Sequence, residues 1–411
     1  MENFDAKLRE YARLLVRVGA NVQKGQTLLL QTPVACADLA RLCAEEAYAA
    51  GAREVDTLFS DDTLSRLKYL HAEEDVFDAM PDWQVAHYEY LRSIGAAKLG
   101  IIGADPEALK GVDPARTQRW SRATGKQLEA YYRDMTSNVF AWSLGGYATP
   151  AWAKKVFPDL PESEAVEALW EAIFQAIRIT GDGKAVERWE QHVQSLGQRT
   201  AWLNEHNFKT LHYTNSLGTD LVIELPEGHF WAGGAEDTQG GIRFLANIPT
   251  EEVFTLPKRD GVNGTVVASK PLVLGGQIVD GIRFVFKDGK IVEAHATEGE
   301  EMLLKSIATD EGASYLGEVA LVPTASPISE SGILFYNTLF DENAACHLAF
   351  GEAYPCIKGA EKMSEEELRA RGVNFSYMHE DFMVGTPDLS IVGTTHDGRE
   401  IAIFKDGNYA F

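Results

Sequence analysis

The chain contains few cysteines and few basic residues, and both shortages limit what kind of protein it is. Its 411 residues include four cysteines, none of them in a CxxC pair: Cys36, Cys43, Cys346 and Cys356. Such scarcity is typical of a reducing compartment, and none of these thiols needs to be a metal ligand. Lys and Arg total 38 against 61 Asp and Glu, which gives a formal net charge of −23. Because nucleic-acid binding needs clustered positive charge, we expect no nucleic-acid partner.

Long apolar runs are also missing. No segment approaches the roughly 18 apolar residues that a membrane-spanning helix needs. Residues 1–22 are charged from the second position onward and predict an amphipathic helix rather than a signal peptide. We therefore expect a cytoplasmic protein with no membrane partner. The content of 45% hydrophobic and 24% charged residues indicates a globular chain, and its length favours two domains.

Strand and helix patterns alternate in the first half of the chain. The run 27–31 (TLLLQ) predicts a strand, 35–50 predicts a helix that stops at Gly51, and 54–59 (EVDTLF) predicts the next strand. Such a βαβ unit implies parallel strands. Further strands are predicted at 98–103 and 138–144, and further helices within 106–134, at 162–179 and at 184–204.

Beyond residue 206 the pattern changes to strands joined by tight turns. Asp-Gly pairs at 288–289, 397–398 and 406–407 are typical of hairpins. We place the domain boundary near residue 200, so that an α/β N-terminal domain with a mostly parallel sheet (1–200) precedes an α+β, strand-rich C-terminal domain (201–411).

A glycine-rich phosphate-binding loop is absent from the α/β half. Thr32-Pro33-Val34 follows the first predicted strand, where a dinucleotide-binding fold needs glycines close to the pyrophosphate. The segment 122–127 (RATGKQ) lacks the first glycine of a P-loop and the Ser or Thr after its lysine, and it falls in a helical pattern. The sequence therefore does not predict nucleotide binding.

Four short segments of the C-terminal half combine histidines and carboxylates. They are NIPTEEVFT (247–255), LGEVALVP (316–323), LFDENAACHLAFG (339–351) and MHEDFMVG (378–385). In an extended chain Glu251 and Glu252 point to opposite faces, so one can enter a site while the other stays in solvent. His379 and Asp381 share one face of a strand. A carboxylate in an apolar strand, such as Glu318, is costly unless it is paired or bound to a cation.

Each of these residues taken alone also permits a purely structural role. Glu252 can be solvated, Glu318 can form a salt bridge, Glu342 can belong to a turn, and His347 can be a hydrogen-bonded core histidine. Together they offer the imidazole and carboxylate ligands that hold Zn, Co or Mn. Six such groups exceed what one tetrahedral ion with an open position needs, and they suit two ions that share a bridging carboxylate.

At these four segments the sequence resembles the M29 family of metallo-aminopeptidases. The resemblance extends to NVQKGQTLLLQ (21–31), FAWSLGGYATPAWA (140–153) and HYTNSLGTDLVIELPEG (212–228), and thus runs through the whole chain. It implies a C-terminal metallopeptidase domain, a homodimer, and peptide substrates with a free N-terminus and a broad, mostly hydrophobic preference. It also implies the metal ligands Glu252, Glu318, Glu342, His347, His379 and Asp381, and a catalytic Tyr354.

In the predicted mechanism, two divalent ions (Zn, Co or Mn) activate a shared water for attack on the first peptide bond. Glu318 is the first choice for the general base, although its sequence context suits a metal ligand equally well. Tyr354 is predicted to donate a hydrogen bond to the oxyanion. Two alternatives remain at this point: another dinuclear metallohydrolase, such as a dipeptidase or an amidase, and a non-enzymatic α/β ligand-binding protein.

Overall fold

A computed structural model describes residues 2–103, 105–274 and 277–411. The helices, numbered in chain order, are α1 Phe4–Leu14, α2 Ala37–Ala49, α3 Asp62–His71, α4 Asp82–Ser93, α5 Pro114–Gln127, α6 Glu129–Thr136, α7 Pro150–Val156, α8 Glu162–Ala176, α9 Ala185–His206, α10 Glu300–Ile307, α11 Pro327–Ser331, α12 Thr338–Asp341 and α13 Glu365–Ala370.

The strands are β1 Thr27–Pro33, β2 Glu54–Ser60, β3 Ala97–Ile102, β4 Trp142–Gly146, β5 Phe208–Thr214, β6 Asp220–Glu224, β7 Glu236–Asp237, β8 Arg243–Phe244, β9 Asn247–Ile248, β10 Val253–Thr255, β11 Val262–Val267, β12 Leu272–Leu274, β13 Gln277–Val279, β14 Arg283–Lys287, β15 Lys290–His295, β16 Leu316–Leu321, β17 His347–Gly351, β18 His379–Met383, β19 Ser390–Thr395, β20 Glu400–Lys405 and β21 Asn408–Tyr409.

The chain forms two compact units. The first comprises Met1–His192 and Ala235–Pro249, and the second comprises Val193–Gly234 and Thr250–Phe411. The boundary predicted near residue 200 falls inside α9, and the short segment that contains β9 belongs to the first unit rather than to the C-terminal part of the chain.

The first unit contains a parallel sheet with the strand order β2-β1-β3-β4-β9. The apolar run Leu28–Leu30 in β1 is almost completely buried, since this strand lies between two others and is covered by helices. The predicted parallel α/β fold is therefore confirmed. Two local predictions differ from the structure: 138–144 becomes a turn followed by β4, because Asn138 adopts a left-handed φ of 54°, and the helical part of 106–134 begins only at Pro114.

The second unit is rich in antiparallel strands, as the sequence predicted. Its larger sheet has the order β15-β14-β11-β6-β5-β19-β20-β21. The hairpin of β14 and β15 turns at Asp288 and Gly289, whose φ angles of 49° and 81° are those of a two-residue turn with both residues left-handed. A smaller antiparallel sheet, β10-β16-β17-β18, takes one strand from each of the four segments rich in His and carboxylates.

One face of the smaller sheet packs into the hydrophobic core of the second unit. Phe350 and Phe382 lie on this face, and their ring centroids are 5.8 and 5.2 Å from the ring centroid of Phe284. Because side chains alternate along a strand, the residues directly before and after Phe350 in β17 and Phe382 in β18 project from the opposite face. That opposite face carries the candidate site.

Candidate metal centre

The strand register of the smaller sheet brings two carboxylates onto the same face. Glu318 in β16 lies opposite Ala349 in β17, and Ala349 lies opposite Asp381 in β18. Paired residues of neighbouring strands point to the same side. Ala349 thus lies between the two acids on this face of the sheet.

Two histidines join this face through the two-residue period of the strands. His347 lies two residues before Ala349, and His379 lies two residues before Asp381. In β18, His379 and Asp381 lie on the same face of the strand, as the sequence predicts. The structure brings these imidazoles and carboxylates together, although Glu318, His347 and His379 follow one another in the chain at intervals of about 30 residues.

The carboxylate of Glu318 lies between the two imidazoles. Its Oε1 is 3.6 Å from Nε2 of His347, and its Oε2 is 3.6 Å from Nε2 of His379. Beyond His347, Oε2 of Glu252 lies 3.0 Å from Nε2, and beyond His379, Oδ1 of Asp381 lies 3.3 Å from Nε2. Donor atoms of Glu252, Glu318 and His347 all lie within 4.8 Å of one another.

Backbone carbonyls hold both imidazoles with the same nitrogen toward the site. Nδ1 of His347 lies 3.2 Å from the carbonyl oxygen of Ala345, and Nδ1 of His379 lies 2.8 Å from that of Glu352. A proton on Nδ1 that is donated to a carbonyl leaves Nε2 free for a metal ion, and metal-binding histidines are usually oriented in this way. Both histidines thus direct Nε2 towards the carboxylates of the site.

Glu252 and Glu342 reach the site from outside the strands. Glu252 immediately precedes β10, and Glu342 begins a 3₁₀ turn, Glu342–Ala344, that follows α12. Asn343 is fully buried and links both segments: its Nδ2 donates to Oε1 of Glu342 at 3.3 Å, and its Oδ1 accepts from the backbone N–H of Glu251 at 2.7 Å. The expectation that one member of the Glu251–Glu252 pair stays in solvent is wrong, since the two are only 2% and 9% exposed.

Burial and mutual repulsion determine the protonation of the carboxylates. Burial raises the pKa of Glu318 above its ordinary value, although the neighbouring histidines oppose this. Burial, followed by the charge of Glu252, raises the pKa of Glu342 well above its ordinary value. Burial also acts to raise the pKa of Asp381, but the contact with His379 outweighs it and the pKa is lowered.

The histidines respond to the same charges in the opposite direction. Burial acts to lower the pKa of His347, but the nearby Glu252 and Glu318 outweigh it and hold the pKa well above the ordinary value. Burial likewise opposes protonation of His379, whereas Asp381 raises its pKa to about 10. Without a metal ion, protons on the imidazoles offset part of the negative charge, so binding of a cation must release protons.

Two buried oxygens of the site have no hydrogen-bond partner among the described residues. They are Oε2 of Glu252 and Oδ1 of Asp381, whose short distances to imidazole nitrogens lack hydrogen-bond geometry. A buried carboxylate oxygen without a partner is costly. Four carboxylates and two imidazoles are also the ligand types that bind divalent transition metals. The residues therefore fit a metal centre, and a cation would balance the excess of acids.

Tyr354 lies at the solvent side of the cluster. It is 43% exposed, and its ring centroid is 5.7 Å from that of His379 in an edge-to-face arrangement. Gly351, at the end of β17, makes this possible: its φ is 109°, and a Cβ there would lie 2.1 Å from the carbonyl oxygen of Met378. The chain can therefore turn back along β18 towards the site.

Sequence reasoning missed the residues that position the ligands. Nothing in the sequence indicates that the amide of Asn343 joins two distant segments. The sequence does not indicate that the backbone carbonyls of Ala345 and Glu352 hold the two imidazoles.

In the part of the chain that the structure describes, no helix has both the length and the apolar character needed to cross a membrane.

Comparison with known proteins agrees with this chemistry. The family described as thermophilic metalloprotease (M29) matches residues 4–409. Aminopeptidase AmpS of Bacillus subtilis (strain 168) is 45% identical over 412 residues, covering 100% of both chains, and aminopeptidase 2 of Geobacillus stearothermophilus is 46% identical over 412 residues, covering 100% of this chain and 99% of the relative.

A solved structure shares the whole architecture. Wild-type AmpT from Thermus thermophilus superposes with a TM-score of 0.92 at 42% identity, and the match covers 99% of this chain and 100% of the other. The family resemblance and the fold class predicted from the sequence are thereby confirmed, as is the prediction of a metal-dependent hydrolase of the aminopeptidase class. The chain belongs to the M29 family of metalloproteases.

Proposed function

We propose that the protein removes N-terminal residues from peptides with a centre of two divalent metal ions. The observation that carries the proposal is the position of Glu318, whose two oxygens each face a different imidazole at 3.6 Å. A carboxylate that is shared in this way suits a ligand bridging two ions. Glu252 and His347 would hold one ion together with one oxygen of Glu318. His379 and Asp381 would hold the second ion together with its other oxygen.

Glu342 completes the proposed ligand set. It is buried, and its charge interacts with Glu252, Asp381, His347 and Glu318, so it lies near both groups of ligands. Zinc, cobalt and manganese all accept this mixture of imidazole and carboxylate. When bound, such ions supply Lewis acidity that activates water and polarises a carbonyl group.

The residues of the chain would contribute orientation, proton transfer and charge stabilisation. Glu318, the first choice for the base from the sequence, would take the proton of the attacking water only through an oxygen that holds no ion, so its roles as base and as shared ligand are alternatives. The phenol of Tyr354, at the open side of the cluster, would donate a hydrogen bond to the oxyanion that forms from the scissile carbonyl. The free amine of the substrate would either bind an ion or contact one of these carboxylates, and both contacts would explain a restriction to free N-termini.

The first test is removal of the metal. We expect the protein to hydrolyse amino acid arylamides, to lose this activity in a chelator, and to regain it with divalent cobalt, zinc or manganese. Full activity in metal-free protein would contradict the metal-dependent mechanism. N-blocked arylamides serve as the control, because a site that needs the free ammonium group leaves them intact.

A series of peptides of increasing length separates this proposal from a dipeptidase or an amidase. An aminopeptidase trims longer peptides one residue at a time, whereas a dipeptidase stops at two residues. We expect stepwise trimming, with a broad and mostly hydrophobic preference at the first residue.

We further propose a cytoplasmic location and peptides as the only partners besides a second copy of the chain, without nucleic acid or membrane.

A homodimer is the assembly that we propose. The family resemblance motivates it, and α3 supports it because Leu64 and Leu67 are 66% and 45% exposed and lie three residues apart on one face of the helix. We expect light scattering to give twice the mass of the chain over a wide concentration range. A monomeric mass throughout that range would contradict the proposal.

A further inference from the structure

A cavity of about 120 Å³ adjoins the metal-binding face of the second unit. Its walls combine apolar and polar side chains, and they come from the β12–β13 hairpin, from α12 with the segment before it, and from the end of β18. The lining includes Leu334, Tyr336, Asp341, Asp381 and Met383.

One wall is fixed by hydrogen bonds within a short segment. The carboxylate of Asp341 accepts from the backbone N–H of Phe335 at 2.7 Å and from that of Asn337 at 2.9 Å. Phe335 is fully buried and stacks on Phe340 with a centroid distance of 4.9 Å. Its neighbours Leu334 and Tyr336 line the cavity instead, so this wall is held in place before any ligand arrives.

The opposite wall is continuous with the metal-binding residues. Met383 lies two residues after Asp381 on β18 and therefore projects from the same face of the sheet. Both side chains line the cavity, and the backbone N–H of Ser269 donates to the carbonyl oxygen of Met383 at 2.8 Å, which anchors the chain leading into β12. Asp381 thus belongs both to the proposed ligand set and to the cavity wall.

We propose that this cavity binds the side chain of the substrate's N-terminal residue and thereby sets the specificity of the enzyme. The inference rests on the proposed function, because it places the scissile bond at the metal-binding face. An engineered apolar cavity of 150 Å³ accommodates benzene, so about 120 Å³ suits an aliphatic side chain such as that of leucine and is too small for an indole. The carboxylate of Asp341 in the wall would repel acidic side chains.

Filling the cavity tests this assignment. Leu334 is only partly buried and lines the cavity, so in Leu334→Trp the volume that tryptophan adds to the leucine it replaces would occupy the space with little change to the core. We expect kcat/KM for leucine arylamide to fall about 10–200-fold, the range that a lost apolar pocket contact gives, while the value for alanine arylamide changes less than about threefold. L-leucine, measured by titration calorimetry on the metal-loaded protein, should bind more weakly to the variant by a similar factor.

Leu304→Trp is the matched control, since Leu304 is 44% exposed on α10 and does not line the cavity. It should leave both substrates unaffected. If thermal unfolding shows that Leu334→Trp does not fold, Leu334→Ala replaces it and should raise kcat/KM for phenylalanine arylamide relative to leucine arylamide.

The outcomes separate the two proposals. Equal losses on leucine and alanine substrates, or no loss on either, would overturn the assignment of the cavity while leaving the peptidase activity of the parent protein intact. A metal-loaded parent protein that is inactive on every arylamide would overturn the proposed function, and the specificity assignment with it.

Discussion

Asp381→Asn is expected to lose one bound metal ion and to reduce turnover by more than about 10–100-fold, the loss that follows removal of an outer-sphere partner of a metal ligand. The amide is nearly isosteric with the carboxylate, but it lacks the negative charge that binds a cation. The substitution also removes the carboxylate whose Oδ1 lies 3.3 Å from Nε2 of His379. Loss of even outer-sphere partners weakens metal affinity about 10–100-fold, and a direct ligand should cost more. His379→Ala should behave in the same way.

The neighbouring residue on β18 offers a matched control. Glu380 projects from the opposite face of the sheet, beside Phe350 in β17, and therefore away from the metal-binding face. Glu380→Gln makes the same chemical change one residue earlier, and we expect it to retain both ions and normal turnover. Metal content per chain and kcat are measured on the same samples. If Asp381→Asn keeps two ions and normal turnover, the segment 379–381 is structural and the site lies elsewhere.

Tyr354→Phe is expected to keep both metal ions and the fold but to lower kcat by about 10²–10³-fold, or roughly 2.7–4 kcal/mol in activation free energy. The substitution removes only the hydroxyl group, so the ring keeps its packing against His379. Since the proposed hydrogen bond strengthens as negative charge develops on the oxygen, the loss should fall on kcat with little change in KM.

Tyr377→Phe is the control for this substitution. Tyr377 is 94% exposed, and loss of its hydroxyl should leave kinetics and metal content unchanged. The measurement is steady-state kinetics with metal content determined on the same preparation. A kcat of Tyr354→Phe within threefold of the parent value would rule out a catalytic role and leave Tyr354 as an aromatic residue that packs beside the site.

Local sequence patterns predicted those parts of the fold that depend on local chemistry. The apolar run of β1, the helical spacing of α2 and the Asp-Gly turn between β14 and β15 each carry their own signal, and the structure contains all three. The strand β9 has only two residues, too short for any periodicity, and its pairing with β4 depends on chain segments about 100 residues apart. Its membership of the first unit was therefore not predictable.

The candidate site likewise has features that the sequence predicts and features that it does not. The residue types and the common face of His379 and Asp381 follow from the sequence, because strand alternation is a local rule. The alignment of Glu318, Ala349 and Asp381 across three strands depends on register, which the sequence of a single strand does not encode. The same holds for the central position of Glu318 between the two imidazoles and for the contacts of Asn343.

The number of metal ions bound per chain tests the central claim most directly. The purified protein is loaded with zinc, cobalt or manganese, dialysed against metal-free buffer and measured by elemental mass spectrometry beside its protein concentration. The arrangement of Glu252 and His347 at one oxygen of Glu318, with His379 and Asp381 at the other, predicts two ions per chain. One ion or none per chain in protein that is fully active on arylamides would contradict it.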